Sequence, residues 1–129
     1  MSSLRSPLGR VAGLGAARGG VQHWWLQRLT SIALVPLAVW FLVCLLRLPA
    51  FDHATVTGWM SQTWTAVLLI LLLLVACWHS QIGIRVIVED YVHGAGARTL
   101  TLVIVTFAHT FIAFAGVFAI LKVAFGAAR

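Results

Sequence analysis

Two histidines, a tyrosine and a carboxylate are the side chains in this sequence whose type and placement could support chemistry. His79 lies in residues 53–84 and His109 in residues 99–121, two stretches that contain no Asp, Glu, Lys or Arg apart from the acid Asp52 just before the first. At about 100° per helical residue, Gly83, Val86 and Asp90 fall within roughly 40° of His79 on one face. A glycine one turn after a histidine leaves room for a flat cofactor to lie against the helix while the imidazole reaches its metal, as in haem ligation. Eleven residues further on, roughly 16 Å along the axis, come Asp90 and Tyr91, with Arg85 and Glu89 beside them. A phenol and a carboxylate there could hydrogen-bond and protonate a small polar head group arriving from lipid. The competing reading makes His79 a bridge to a neighbouring helix and Glu89-Asp90-Tyr91 a solvated helix end. Spacing alone favours neither.

His109 has different surroundings. Phe107, Phe111, Phe114, Phe118 and Phe125 form an aromatic ridge within about 40° of one line. On the opposite side His109, Ala113 and Gly116, bounded by Ile120, make a strip of the kind that lets transmembrane helices approach closely. An interhelical hydrogen bond is therefore favoured for His109 over metal ligation. A haem held by His79 and His109 together remains a rival, since both could lie at similar depth. Arg28 follows His23, Trp24 and Trp25; it can snorkel as an anchor or hold an anionic group such as a haem propionate with its donor fork. Cys44 and Cys77 have neither Cys-x-x-Cys spacing nor a second cysteine nearby and read as packed free thiols. His53 and His93 belong to loops.

The elements that must position these groups are transmembrane helices. Of 129 residues, 61% are hydrophobic and 9% charged, with a mean hydropathy of +1.00, which excludes an ordinary soluble domain. Three acids, Asp52, Glu89 and Asp90, also exclude a large soluble catalytic domain. Charge-free runs at 29–46, 53–84 and 99–121 suit bilayer crossings of about 20 residues. The expected fold is all-α and integral to the membrane, with spans at 28–48, 59–92 and 98–125. Pro36 is expected to kink the first span and Pro49 to stop it. A very short link makes the last two spans an antiparallel hairpin.

Residues 1–27 form a basic arm whose Gly9, Gly13, Gly15, Gly19 and Gly20 argue for an extended segment lying on a partner, and residues 126–129 form a tail. Arg5, Arg10, Arg18 and Arg28 precede or open the first span without any acid, so the positive-inside rule places the N-terminus in the cytoplasm and the C-terminus in the periplasm. That rule accounts for the net charge of +6, and no nucleic-acid partner is expected. Trp24 and Trp25 at one end and Trp59 and Trp64 at the other suit interfacial belts. An organellar transit peptide is the second reading of the arm, with the mitochondrial inner membrane as the alternative location.

Gly20-Val21 followed by Gln27-Arg28-Leu29-Thr30, then His79-Ser80-Gln81-Ile82-Gly83, then Glu89-Asp90-Tyr91-Val92-His93 together resemble the smaller hydrophobic membrane anchor of bacterial succinate dehydrogenase, respiratory complex II. The arm Arg5-Ser6-Pro7-Leu8-Gly9-Arg10 is similar to that of alphaproteobacterial members. The resemblance implies an anchor in the bacterial inner membrane, partnered by a larger cytochrome b anchor subunit, an iron–sulfur subunit and a flavoprotein subunit. It implies that His79 is one axial ligand of a haem b, the other coming from the larger anchor. It further implies that Arg28 lies near the haem propionates, that Tyr91 hydrogen-bonds ubiquinone as substrate, and that Asp90 supports the tyrosine or the proton supply. The family assigns no ligand to a position like His109. An anchor of a related fumarate reductase would share this layout, and a cofactor-free scaffold or proton-relay subunit would use His79 and Asp90 as a relay.

Overall fold

The computed structural model describes residues 17–126, and their regular structure is entirely α-helical. Helix α1 is Ala17–Leu46, α2 is His53–Met60, α3 is Thr63–Tyr91 and α4 is Ala95–Gly126. The stretches Val21–Leu46, Thr63–Tyr91 and Ala95–Gly126 are each long and apolar enough to cross a membrane. At 1.5 Å per residue the long helices measure roughly 45 Å, against a hydrocarbon core of about 30 Å, so their ends reach the interfaces. The chain is a multi-pass membrane protein.

The three expected spans are present with different ends. Helix α1 starts at Ala17 rather than Arg28, so Gly19 and Gly20 are helical rather than part of an extended arm. A gap between charges marks the part of a helix that lies in hydrocarbon, and the hydrogen-bonded backbone continues past it. Each interior glycine costs only about 1 kcal/mol, and elongation adds a hydrogen bond per residue once the helix exists. Residues 1–16 and the tail after Gly126 lie outside the described residues, and with them Arg5 and Arg10. Pro36 sits inside an unbroken helical assignment.

The second departure is α2, an eight-residue helix where a loop was expected. Asp52 starts it: its carboxylate accepts from the Thr55 amide at 3.2 Å and from the Thr55 hydroxyl at 2.6 Å, satisfying a donor that a helix start leaves free. The Thr55 hydroxyl bond, followed by the backbone bonds, holds the Asp52 carboxyl below its ordinary value. Helix α3 consequently begins at Thr63 instead of Trp59.

Helix α3 is the centre of the bundle. It packs against α1 on one side and α4 on the other, while α1 and α4 flank it without packing on each other. Helix α2 folds across the ends of α3 and α4 and covers a core of Ala66, Leu69 and Ile120 together with Trp40, Phe41, Trp59 and Leu73. Trp59 is packed against α1: its ring centroid lies 6.4 Å from that of Trp40 and 6.2 Å from that of Phe41. Trp64 is 79% exposed.

The small-residue strip on α4 does what its composition suggested. A Cβ on Gly116 would stand 2.5 Å from Leu73 Cδ2 and 3.3 Å from its Cδ1, so the missing side chain is what admits Leu73 of α3. Ile120, one turn further, is buried in the same interface. The phenylalanine ridge faces away, with Phe107, Phe111, Phe114, Phe118 and Phe125 all at least 70% exposed. No described side chain is fully buried, as fits three helices whose outer faces meet lipid or other membrane subunits.

Candidate functional site

His79 sits in the half of α3 away from that aromatic core, turned towards α1 and partly buried. Its Nδ1 lies 2.9 Å from the Thr30 hydroxyl. That hydroxyl also lies 2.8 Å from the Leu26 carbonyl and 3.0 Å from the Gln27 carbonyl, the usual backbone acceptors of a helical threonine. With its single proton shared with its own helix, Thr30 can accept from His79 Nδ1–H, the tautomer in which Nε2 keeps an unshared pair. Facing Nε2 is the Gln27 amide nitrogen at 3.4 Å.

Thr30 and Gln27 are three residues apart, hence on one face of α1. Thr30 is buried, with 8% of its surface exposed. The Gln27 oxygen is buried without a hydrogen-bond partner. Gly83 lies beside this amide: a Cβ there would meet Gln27 Nε2 at 3.7 Å, an ordinary contact. The face of α3 read from the sequence as room for a flat cofactor is covered by this side chain of α1.

His109 turns elsewhere. Its Nδ1 lies 2.8 Å from the Val105 carbonyl and its Nε2 lies 3.2 Å from the Ser80 hydroxyl. Nδ1–H donates to the carbonyl, and Nε2 accepts from serine. His79 and Ser80 are neighbours in sequence, but about 100° of rotation sends one to α1 and the other to α4. The two imidazoles belong to different interfaces, and the expected interhelical hydrogen bond describes His109. Gln81 adds a second link to α4, donating to the Thr106 hydroxyl at 3.3 Å.

Arg28, at the same end of the bundle, holds its guanidinium 4.6 Å from the centroid of the Trp24 ring. A guanidinium lying on an aromatic face keeps its N–H groups directed outward in the ring plane. Asp90 and Tyr91 end α3 and are exposed, Tyr91 by 77%. Arg85 donates to Glu89 at 3.1 Å, one turn apart on the same helix. That pair uses the neighbouring charges and leaves Asp90 outside it. The helix end therefore presents a phenol and a carboxylate that nothing in this chain covers among the described residues.

A cleft of about 490 Å³ fills the corner left between α1 and α4, with His23, Gln81, Arg85 and Thr99 among apolar walls. Neither His79 nor Tyr91 lines it. Among the described residues no three His, Cys, Asp or Glu side chains come together as a metal cluster. Cys44 and Cys77 are free thiols, as expected.

The arrangement defines a small membrane protein with three spans, in which partly buried His79 meets Thr30 and Gln27 of the first span through its two ring nitrogens. The family model described as succinate dehydrogenase/fumarate reductase transmembrane subunit matches residues 2–117, and the chain belongs to that family. A succinate dehydrogenase hydrophobic membrane anchor subunit of Rickettsia conorii is 30% identical over 92 residues, covering 70% of this chain and 73% of that protein. A protein of the same description from Paracoccus denitrificans is 26% identical over 122 residues, covering 95% and 94%. A succinate dehydrogenase membrane anchor subunit of Reclinomonas americana is 28% identical over 99 residues, covering 68% and 76%.

Proposed function

We propose that this chain is the small membrane anchor of a bacterial succinate dehydrogenase, that His79 Nε2 is one axial ligand of a haem b, and that Asp90 and Tyr91 contribute to a ubiquinone site. The observation that carries the haem reading is the pair of contacts made by His79: Nδ1 has the Thr30 hydroxyl as its partner, and the remaining nitrogen has only a side-chain amide before it. Metal-bound histidines characteristically donate their other N–H to such a partner. The larger cytochrome b anchor subunit would supply the partner ligand. When bound, haem supplies a one-electron carrier inside the membrane. The residues present fit it: His79 would hold the iron through Nε2, and Arg28 would supply donors for a propionate.

A proton relay from His79 to Asp90 has less support, since both hydrogen-bond contacts of His79 run to α1 rather than towards Asp90. The names of the relatives favour the dehydrogenase over a fumarate reductase. The chain works with an iron–sulfur subunit and a flavoprotein, which deliver electrons from succinate on the cytoplasmic side. Tyr91 donates to a quinone carbonyl oxygen, and Asp90 orients the phenol or passes protons from water. Both residues project from the helix end, so the other subunits complete the site.

Affinity purification of the tagged chain from mild-detergent extracts should recover three further subunits and succinate-to-quinone activity. Recovery of the chain alone, or with subunits that do not oxidise succinate, would contradict the assignment. Orientation follows from Arg5, Arg10, Arg18 and Arg28: the N-terminus is cytoplasmic, and after three crossings the C-terminus is periplasmic. A reporter active only in the periplasm should be silent at the N-terminus and active after Arg129. Equal activity at both ends would refute an odd number of spans.

A further inference from the structure

We propose that His79 is set by one permanent partner and one exchangeable partner. Thr30 holds the Nδ1 proton whether or not haem is bound, and the Gln27 amide guards the Nε2 lone pair only until iron takes its place. The inference rests on the haem reading above and assigns roles to two residues of α1 that this reading does not need.

The two contacts differ in the ways the proposal requires. The Thr30 contact is short at 2.9 Å, and its hydroxyl is fixed by backbone carbonyls at 2.8 and 3.0 Å. Thr30 also has a short side chain whose χ1 is restricted by its β-branch, so it cannot leave the imidazole without moving α1. The Gln27 contact is long at 3.4 Å, beyond the usual range for an N–H donor. Its side chain has three rotatable bonds, and its oxygen is buried without a partner. A buried amide in that condition is held poorly, because an unsatisfied acceptor carries a desolvation penalty. Displacing this amide from Nε2 costs little, and moving it towards water or a partner subunit can satisfy the orphaned oxygen.

Two separate roles follow. Thr30 is a positioning residue: by accepting from Nδ1–H it fixes the tautomer and makes the imidazole a stronger electron donor through Nε2. Gln27 keeps the lone pair from seeking another donor before haem arrives, and after loading it no longer touches the ring.

The test uses the assembled complex purified from cells carrying Thr30→Val, Thr30→Ser or Gln27→Leu. Valine keeps the shape of threonine and removes the acceptor, serine keeps the acceptor, and leucine replaces the amide with a chain of similar bulk. For each, haem is counted per mole of this chain, its midpoint potential is titrated, and its transfer to an excess of haem-free globin is timed. Thr30→Val should raise the midpoint and speed haem loss about 10- to 100-fold, the usual effect of removing such an outer partner, and Thr30→Ser should restore both. Gln27→Leu should leave the midpoint at the wild-type value, and the haem-depleted complex carrying it should take up haem faster than wild type in detergent. Serine failing to rescue, a silent Thr30→Val, or a Gln27→Leu midpoint shifted like that of Thr30→Val would overturn the proposal. If instead His79→Ala keeps its haem, the ligand assignment itself falls, so the two failures are distinguishable.

Discussion

Tyr91→Phe should lower the rate at which the assembled complex reduces quinone by about 10- to 100-fold, while electron transfer from succinate to a soluble dye persists. The substitution deletes one oxygen from a side chain that is 77% exposed and ends α3, so little packing is lost. What goes is a directional hydrogen bond to a carbonyl oxygen whose negative charge grows as the quinone is reduced. A hydrogen bond to a charged acceptor contributes about 1.5–3 kcal/mol, and a bond made more strongly in the transition state than in the ground state appears in the rate. Asp90→Asn should slow the same step with less effect on quinone binding, since the carboxylate acts through the phenol or the proton supply. Steady-state assays with a short-chain ubiquinone and with dye, run on the same preparations, separate these outcomes. A Tyr91→Phe complex that reduces quinone at the wild-type rate, or one that loses both activities together, would return Glu89-Asp90-Tyr91 to a solvated helix end.

The second large effect concerns the two histidines. His79→Ala should remove the low-spin b-type signal or convert it to a different spin state, and His109→Ala should leave it largely intact. The structure gives the reason: His79 turns Nε2 towards α1, where only the Gln27 amide faces it at 3.4 Å, whereas both nitrogens of His109 are engaged within the α3–α4 hairpin. Losing His109 removes one interhelical hydrogen bond, typically worth about 0.6 kcal/mol in a membrane protein, so the hairpin should survive. Visible and electron-paramagnetic spectra of both variants decide the matter, and loss of the signal with His109→Ala alone would reverse the assignment.

Much of this architecture is legible in the chain because charge is so scarce. Three acids and nine basic residues outline three spans, and the short link after them dictates the hairpin. The Gly116 strip is also legible, since small residues at helical spacing state where another helix can approach, and Leu73 takes that position. Helix α2 is less so. Eight residues are too few for a periodic signal, although Asp52 three residues before Thr55 is a helix-start pattern that could have exposed it. Trp59 shows the same limit, because a tryptophan at a span's end suits an interfacial belt and a core equally well until α2 turns it onto Trp40 and Phe41.

The site divides along similar lines. His79 and Gly83 stand out because an ionisable group and a gap are conspicuous in an apolar helix. Thr30 and Gln27 do not. A threonine that bonds its own backbone costs a membrane helix little and draws no notice, and a glutamine at the interface reads as a polar boundary. Their importance arises only when α1 packs on α3 and places them against the imidazole, which is tertiary information that neither helix contains alone.

The central claim is that this chain holds one haem through His79 in partnership with a second membrane subunit. The most direct measurement is the reduced-minus-oxidised visible spectrum of the purified complex, quantified against the amount of this chain. One low-spin b-type haem per copy in the wild-type complex, absent or altered with His79→Ala, is the expected result. A fully assembled complex that shows no haem spectrum, or one whose spectrum is indifferent to His79, would contradict it.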